Sequence, residues 1–76
     1  MALAFVLVNT EIGSESKVVK SLRKIEAVKE GYLIYGVYDI VTKVEAETME
    51  NLKETIKHKV RKQDKVLSTL TLIAVE

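Results

Sequence analysis

The chain has 76 residues with no cysteine and no proline, and 12 basic against 11 acidic residues leave a net charge of +1. That length fits one domain, 1–76, and no second one. Disulfides and thiolate-bound zinc are excluded, and the balanced charge gives no general attraction to nucleic acid or to an anionic membrane.

A domain this small buries only about 60% of its unfolded surface, which leaves association with other chains as the available aid to stability. In chain order, Ala2–Val8 is continuously apolar and suits a strand buried on both faces. It has no basic flank and is too short to span a bilayer, so a soluble cytoplasmic protein is expected. Asn9-Thr10-Glu11-Ile12-Gly13 breaks the run, and Ser14 or Ser16 is placed to cap a helix over 15–25, with Val18, Val19, Leu22 and Ile25 at helical spacing. Residues 28–36 form a β-branched and aromatic strand. Residues 38–47 alternate, with Ile40, Thr42, Val44 and Ala46 on one face. Thr48 caps a second helix with the stripe Met49, Leu52, Ile56 and Val60, which Gln63-Asp64-Lys65 ends, and 66–75 is a last strand.

The order strand, helix, strand, strand, helix, strand has a favoured solution. Right-handed crossovers around a central hairpin give an α+β, ferredoxin-like four-stranded antiparallel sheet with both helices on one face. The helices cover only that face, yet Leu3, Phe5 and Leu7 oppose Ala4, Val6 and Val8, and Leu67, Ile73 and Val75 oppose Leu70, Leu72 and Ala74. One apolar set is left over, larger than a monomer usually exposes, so sheet-against-sheet dimerisation is expected.

Little here carries chemistry. The single histidine, His58, sits between lysines on the second helix and reads as solvated, as does the basic run through Lys65. No catalytic triad, carboxylate pair or glycine-rich phosphate loop can be assembled, and no metal or cofactor is called for. Aromatics on the central strands are too few for base stacking, so sequence-specific RNA binding is not expected. What remains is the hairpin Gly31–Val41. Gly36 permits positive φ, Tyr35 and Tyr38 can wall a small pocket, and Asp39 either accepts from the turn's amides or meets an ammonium group. Ser68, Thr69 and Thr71 interrupt the last apolar strand with hydroxyls that are either strand fillers or ligand contacts.

Gly36-Val37-Tyr38-Asp39-Ile40-Val41, after an amphipathic helix and before alternating Val44 and Ala46, resembles the signature of the Lrp/AsnC family's effector-binding domain. Ser68-Thr69-Leu70-Thr71-Leu72-Ile73 resembles its closing strand. The resemblance implies a non-enzymatic amino-acid sensor tied to transcriptional control. It implies sheet-to-sheet dimers that assemble further, into tetramers or octamers, with free amino acids bound at contacts between dimers. By this analogy the backbone of Gly36, Val37 and Tyr38 holds the effector's polar groups, Asp39 faces its ammonium, and Ser68, Thr69 or Thr71 add hydroxyls. Regulators of the family carry an N-terminal helix-turn-helix, whereas this chain begins with its first strand. A stand-alone module is therefore expected, with no direct DNA binding and with full-length regulators as candidate partners. The competing class is a cofactor-free dimeric α/β-barrel enzyme, a monooxygenase or isomerase, for which Thr42 is the main polar candidate on the core face; a third is a non-sensing structural partner of those regulators.

Overall fold

A computed structural model describes residues 1–75. The elements run β1 (Ala2–Thr10), α1 (Glu15–Arg23), β2 (Val28–Leu33), β3 (Ile40–Ala46), α2 (Met49–Thr55, continued by a wider π turn over Ile56–Val60) and β4 (Val66–Ile73). The sheet is antiparallel in the order β2-β3-β1-β4, which places the most apolar strand, β1, inside it. The ferredoxin-like arrangement read from the sequence is the one observed.

Alternation decides which residues form the core. Ala2, Ala4, Val6 and Val8 on β1 and Ile40 and Val44 on β3 meet Val18, Val19 and Leu22 of α1 and Leu52, Ile56 and Val60 of the second helix. Thr42 lies in the same layer, and its hydroxyl donates to the Val6 carbonyl at 3.0 Å, so its burial leaves no polar group unpaired.

Two bulges shift the pattern. In β2 the register slips between Val28 and Glu30, so Val28 and Gly31 face the helices while Glu30 and Tyr32 face out. In β4 the slip falls between Ser68 and Val66 opposite Asn9 and Thr10, which leaves Leu67 exposed instead of on a face with Ile73.

The second helix departs from α geometry. Leu52, Ile56 and Val60 stand four apart, and on a helix of 3.6 residues per turn each step drifts about 40° around the axis. Widening the last turn to i→i+5, seen in the 2.9 Å bond from the Arg61 amide to the Ile56 carbonyl, reverses that drift and keeps all three buried. The start of this helix is as expected, with Thr48 Oγ1 accepting from the Asn51 amide at 3.0 Å. Thr48→Ala is expected to lower stability by about 1 kcal/mol, read from urea unfolding; an unchanged midpoint would show that the cap is idle. Ser14 occupies the corresponding position on α1, but it caps only through its backbone, because its side chain makes no capping bond.

The element ends moved inward from the expected ones. α1 stops at Arg23, β2 at Leu33 and β4 at Ile73, while β3 begins only at Ile40. At the β2 edge, the ladder alternates outward from the Ile34 amide–Asp39 carbonyl bond, which turns the Gly31 carbonyl away from β3. Arg23 covers it, donating from Nε and Nη2 at 3.0 and 2.6 Å.

The face away from the helices carries Leu3, Phe5 and Leu7 of β1 beside Leu72 and Leu70 of β4, in register Phe5 to Leu72 and Leu7 to Leu70. Phe5, Leu70 and Leu72 remain 39%, 42% and 51% exposed. Toward β2 the strip gives way to polar groups. Tyr32 donates to Glu30 at 2.7 Å, and Lys43 lies 3.5 Å from Glu30 and 3.8 Å from Glu45. The hydrogen bond from Tyr32 holds the Glu30 carboxyl below its ordinary range, and the same bond pushes the Tyr32 phenol up.

Candidate ligand-binding site

Residues 34–39 close β2 onto β3 as a six-residue loop. The Ile34 amide donates to the Asp39 carbonyl at 2.9 Å, and the Asp39 amide donates to the Val8 carbonyl at 3.0 Å. Gly36 has φ +143°, a backbone region that L side chains rarely adopt, although a Cβ there would meet nothing within 4 Å. Conformation, not space, requires glycine at this point.

Asp39 is half-buried, and its Oδ2 accepts from the Thr10 amide at 3.0 Å. The sequence offered Asp39 its own turn's amides as structural partners. The donor is instead the last residue of β1, at the point where the β1–β4 register shifts. Its other oxygen, Oδ1, makes no hydrogen bond among the described residues and is free to accept from a ligand.

Beside Asp39 lies an open hollow of about 370 Å³ lined by Glu15, Leu33, Ile34, Tyr35 and Asp39. Three apolar or aromatic side chains and two carboxylates form it, with no cation among them. Tyr35 lines this hollow, while Tyr38, half-buried in the loop, does not; Gly36 and Val37 sit exposed at the tip. Glu15, Leu33 and Ile34 were not singled out from the sequence. Glu15 lies in the first turn of α1, and only the topology brings that helix start to the same end of the sheet as the hairpin.

The strand hydroxyls separate. Ser68 pairs with Asn9 on the outer face and accepts from its Nδ2 at 3.3 Å. Thr69 and Thr71, opposite Val8 and Val6, face the helix side, and Thr71 borders a groove against α2. Within one chain β1 stands between these hydroxyls and the hairpin, about 10 Å away at two strand spacings. Asp39, Ser68 and Thr69 nevertheless lie at the same end of the sheet. His58 is exposed, 2.9 Å from Glu54 on its own helix, and no group of three or more potential metal ligands occurs among the described residues. No helix among them is long and apolar enough to cross a membrane.

Comparison with known proteins places this geometry. Among solved structures, FFRP-DM1 superposes with a TM-score of 0.94 at 40% identity, covering 99% of this chain and all of that one. The hypothetical protein PHS023 from Pyrococcus horikoshii gives 0.93 at 39% identity, covering 100% of this chain and 92% of that one. The transcriptional regulator NMB0573 of Neisseria meningitidis, solved as a complex with L-Met, shares the fold at 0.83 and 14% identity; the chain spans 99% of itself and 50% of that regulator. No curated protein matches. The family model described as the Lrp/AsnC ligand binding domain matches residues 3–76. A match over almost the whole length, on a sheet and hairpin of this construction, means that the chain belongs to the Lrp/AsnC ligand-binding-domain family.

Proposed function

We propose that this regulatory effector-binding domain is an amino-acid sensor that works as an oligomer. Two copies pair through the outer sheet face, and a free amino acid binds where the Gly36–Asp39 hairpin of one chain meets another chain. The observation that carries this reading is the hollow beside Asp39. A carboxylate with one uncommitted oxygen stands among Leu33, Ile34 and Tyr35, complementary to an ammonium group and an apolar side chain. The hollow holds no cation for the effector's carboxylate, so that group falls to the open backbone around Gly36–Tyr38 and to Ser68, Thr69 or Thr71 of another chain. The Neisseria regulator's complex with L-Met agrees in chemistry with such an effector. An effector bridging chains favours whichever assembly presents both halves of the site.

The enzymatic alternative finds less support. Thr42, the polar side chain on the core face considered for it, already donates to Val6, and the small hollow of about 120 Å³ that it borders is lined mainly by the outer-face residues Phe5, Glu30, Tyr32 and Lys43.

The test separates the two uses of Asp39. In Asp39→Asn a side-chain carbonyl still accepts from the Thr10 amide, while the charge facing the hollow is lost. Thermal melting is expected to change little, and calorimetric affinity for the responsive amino acid is expected to fall about tenfold or more, the scale of one charged hydrogen bond. A complete amino-acid panel that yields no heat and no change in mass with the unaltered protein would sink the proposal.

A further inference from the structure

The near-neutral total charge conceals a separation of sign. Ten of the 12 Lys and Arg residues lie on the two helices and the turns that close them (24–27 and 61–65), with five of the 11 acidic residues, Glu15, Glu26, Glu50, Glu54 and Asp64. The helical layer therefore carries an excess of five positive charges, and the rest of the chain an excess of four negative ones.

Within that layer the cations form rows. Lys17, Lys20 and Lys24 fall at i, i+3 and i+7 along α1, and Lys53, Lys57 and Arg61 at i, i+4 and i+8 along the second helix; all six are exposed. With a rise of 1.5 Å per residue, successive charges stand about 5–6 Å apart along each axis. None of the six is in a salt bridge among the described residues. The second row forms one wall of a groove of about 180 Å³ whose other wall is Thr71 and Ile73 of β4, and no carboxylate lines it.

We propose that this helical layer holds the phosphate backbone of a nucleic-acid duplex, independently of base sequence. Rows of unpaired cations match a linear polyanion. The acidic residues of a second copy make a poorer match, because the described ones are spread over helices, strands and turns and form no row. An anionic membrane fits less well again. Surface helices that enter lipid present an apolar face to it, and here Val18, Val19, Leu22, Leu52, Ile56 and Val60 are buried against the sheet. All three tyrosines belong to β2 and the hairpin, so the layer offers no stacking platform for single-stranded bases.

The experiment is fluorescence anisotropy of a labelled DNA duplex of arbitrary sequence with the full chain. The expected result is binding at about 50 mM salt that weakens about a hundredfold or more by about 200 mM, as release of counterions from several phosphates requires. Reversing one row, Lys53→Glu with Lys57→Glu and Arg61→Glu, is expected to abolish most of the affinity. Reversing Lys29, Lys43 and Lys65 to Glu, an equal change in net charge outside the two rows, is expected to leave most of it. Thermal melting confirms that each variant folds, and Lys20→Gln or Lys57→Gln reads the same salt slope, lower by about one unit each, if a triple variant does not. Absence of binding at the lower salt overturns the proposal. So does equal weakening by the row and control variants, tighter binding to anionic vesicles than to DNA, or a row-dependent change in the protein's own mass with no DNA bound.

Discussion

Leu72→Glu is expected to leave the fold intact and to abolish the proposed sheet-to-sheet pairing. Leu72 lies opposite Phe5 in the middle of the apolar strip on the outer sheet face, and half of its surface is open in the single chain. Leu3, Phe5, Leu7, Leu70 and Leu72 would each gain about half of the ~1.5–3 kcal/mol that full burial of such a side chain supplies, a gross gain near ~5 kcal/mol before association costs. A glutamate in that position stays solvated in the monomer and costs little there. In the proposed pair it would lie against the apolar strip of the partner sheet, at a cost of several kcal/mol. Every ~1.4 kcal/mol is tenfold in Kd, so dissociation is expected to rise by about a thousandfold. Sedimentation equilibrium measures it, with circular dichroism to confirm that the sheet persists. A wild-type chain that is already monomeric at micromolar concentration, or a variant that still pairs, removes the outer face from the assembly.

The second large effect concerns the other side of the sheet. Leu22 has no exposed surface and packs from the last turn of α1 into the core. Leu22→Ala is expected to lower stability by about 2–5 kcal/mol, because removal of the side chain leaves a cavity that its neighbours only partly fill. For a domain of this size that is a large share of a total of roughly 4–11 kcal/mol. Urea unfolding at one fixed protein concentration measures it, so that mass action from any pairing is the same in every sample. Ile12 provides the contrast: it is fully exposed in the β1–α1 loop, and Ile12→Ala is expected to change stability by less than about 0.5 kcal/mol. Similar losses at the two positions would contradict the core as described.

The fold was legible because its signals are local and mutually consistent. The unbroken apolar run of β1, the alternation Ile40–Ala46 and the Thr48 cap each needed only neighbouring residues. What was not legible depends on partners far away in the chain. Ile34–Tyr38 has strand composition, yet beyond the bond from the Ile34 amide to the Asp39 carbonyl the chain before β3 offers it no ladder partner, so those residues form a loop. The bulges at Lys29 and Leu67 shift alternation through pairing, which no window along the sequence reveals. The candidate site was half-legible for the same reason. Gly36 and Asp39 stood out as a glycine and an acid in an apolar stretch. The Thr10 donor and Glu15 reach that place only through the crossover of β1 and α1. Ser68 and Thr69 are adjacent in sequence, but the strand turns one to each face. The charge separation was hidden because the rows of lysines compensate acids elsewhere, and a total of +1 records neither.

The clamp of Arg23 on the Gly31 carbonyl also bears on how copies of the chain can meet. A sheet has two borders, and this one is guarded on one side only. Along β2 the guanidinium occupies an outward acceptor that a neighbouring strand would need. Along β4 the ladder alternation turns the amides and carbonyls of Thr69, Thr71 and Ile73 outward, and none has a backbone partner among the described residues. A unit with one open border can close a pair, β4 against β4, and is harder to extend at its other end, where the acceptor at Gly31 is taken. Polymerisation by strand addition, the usual hazard of a small sheet with apolar faces, is thus limited at the second step by one arginine.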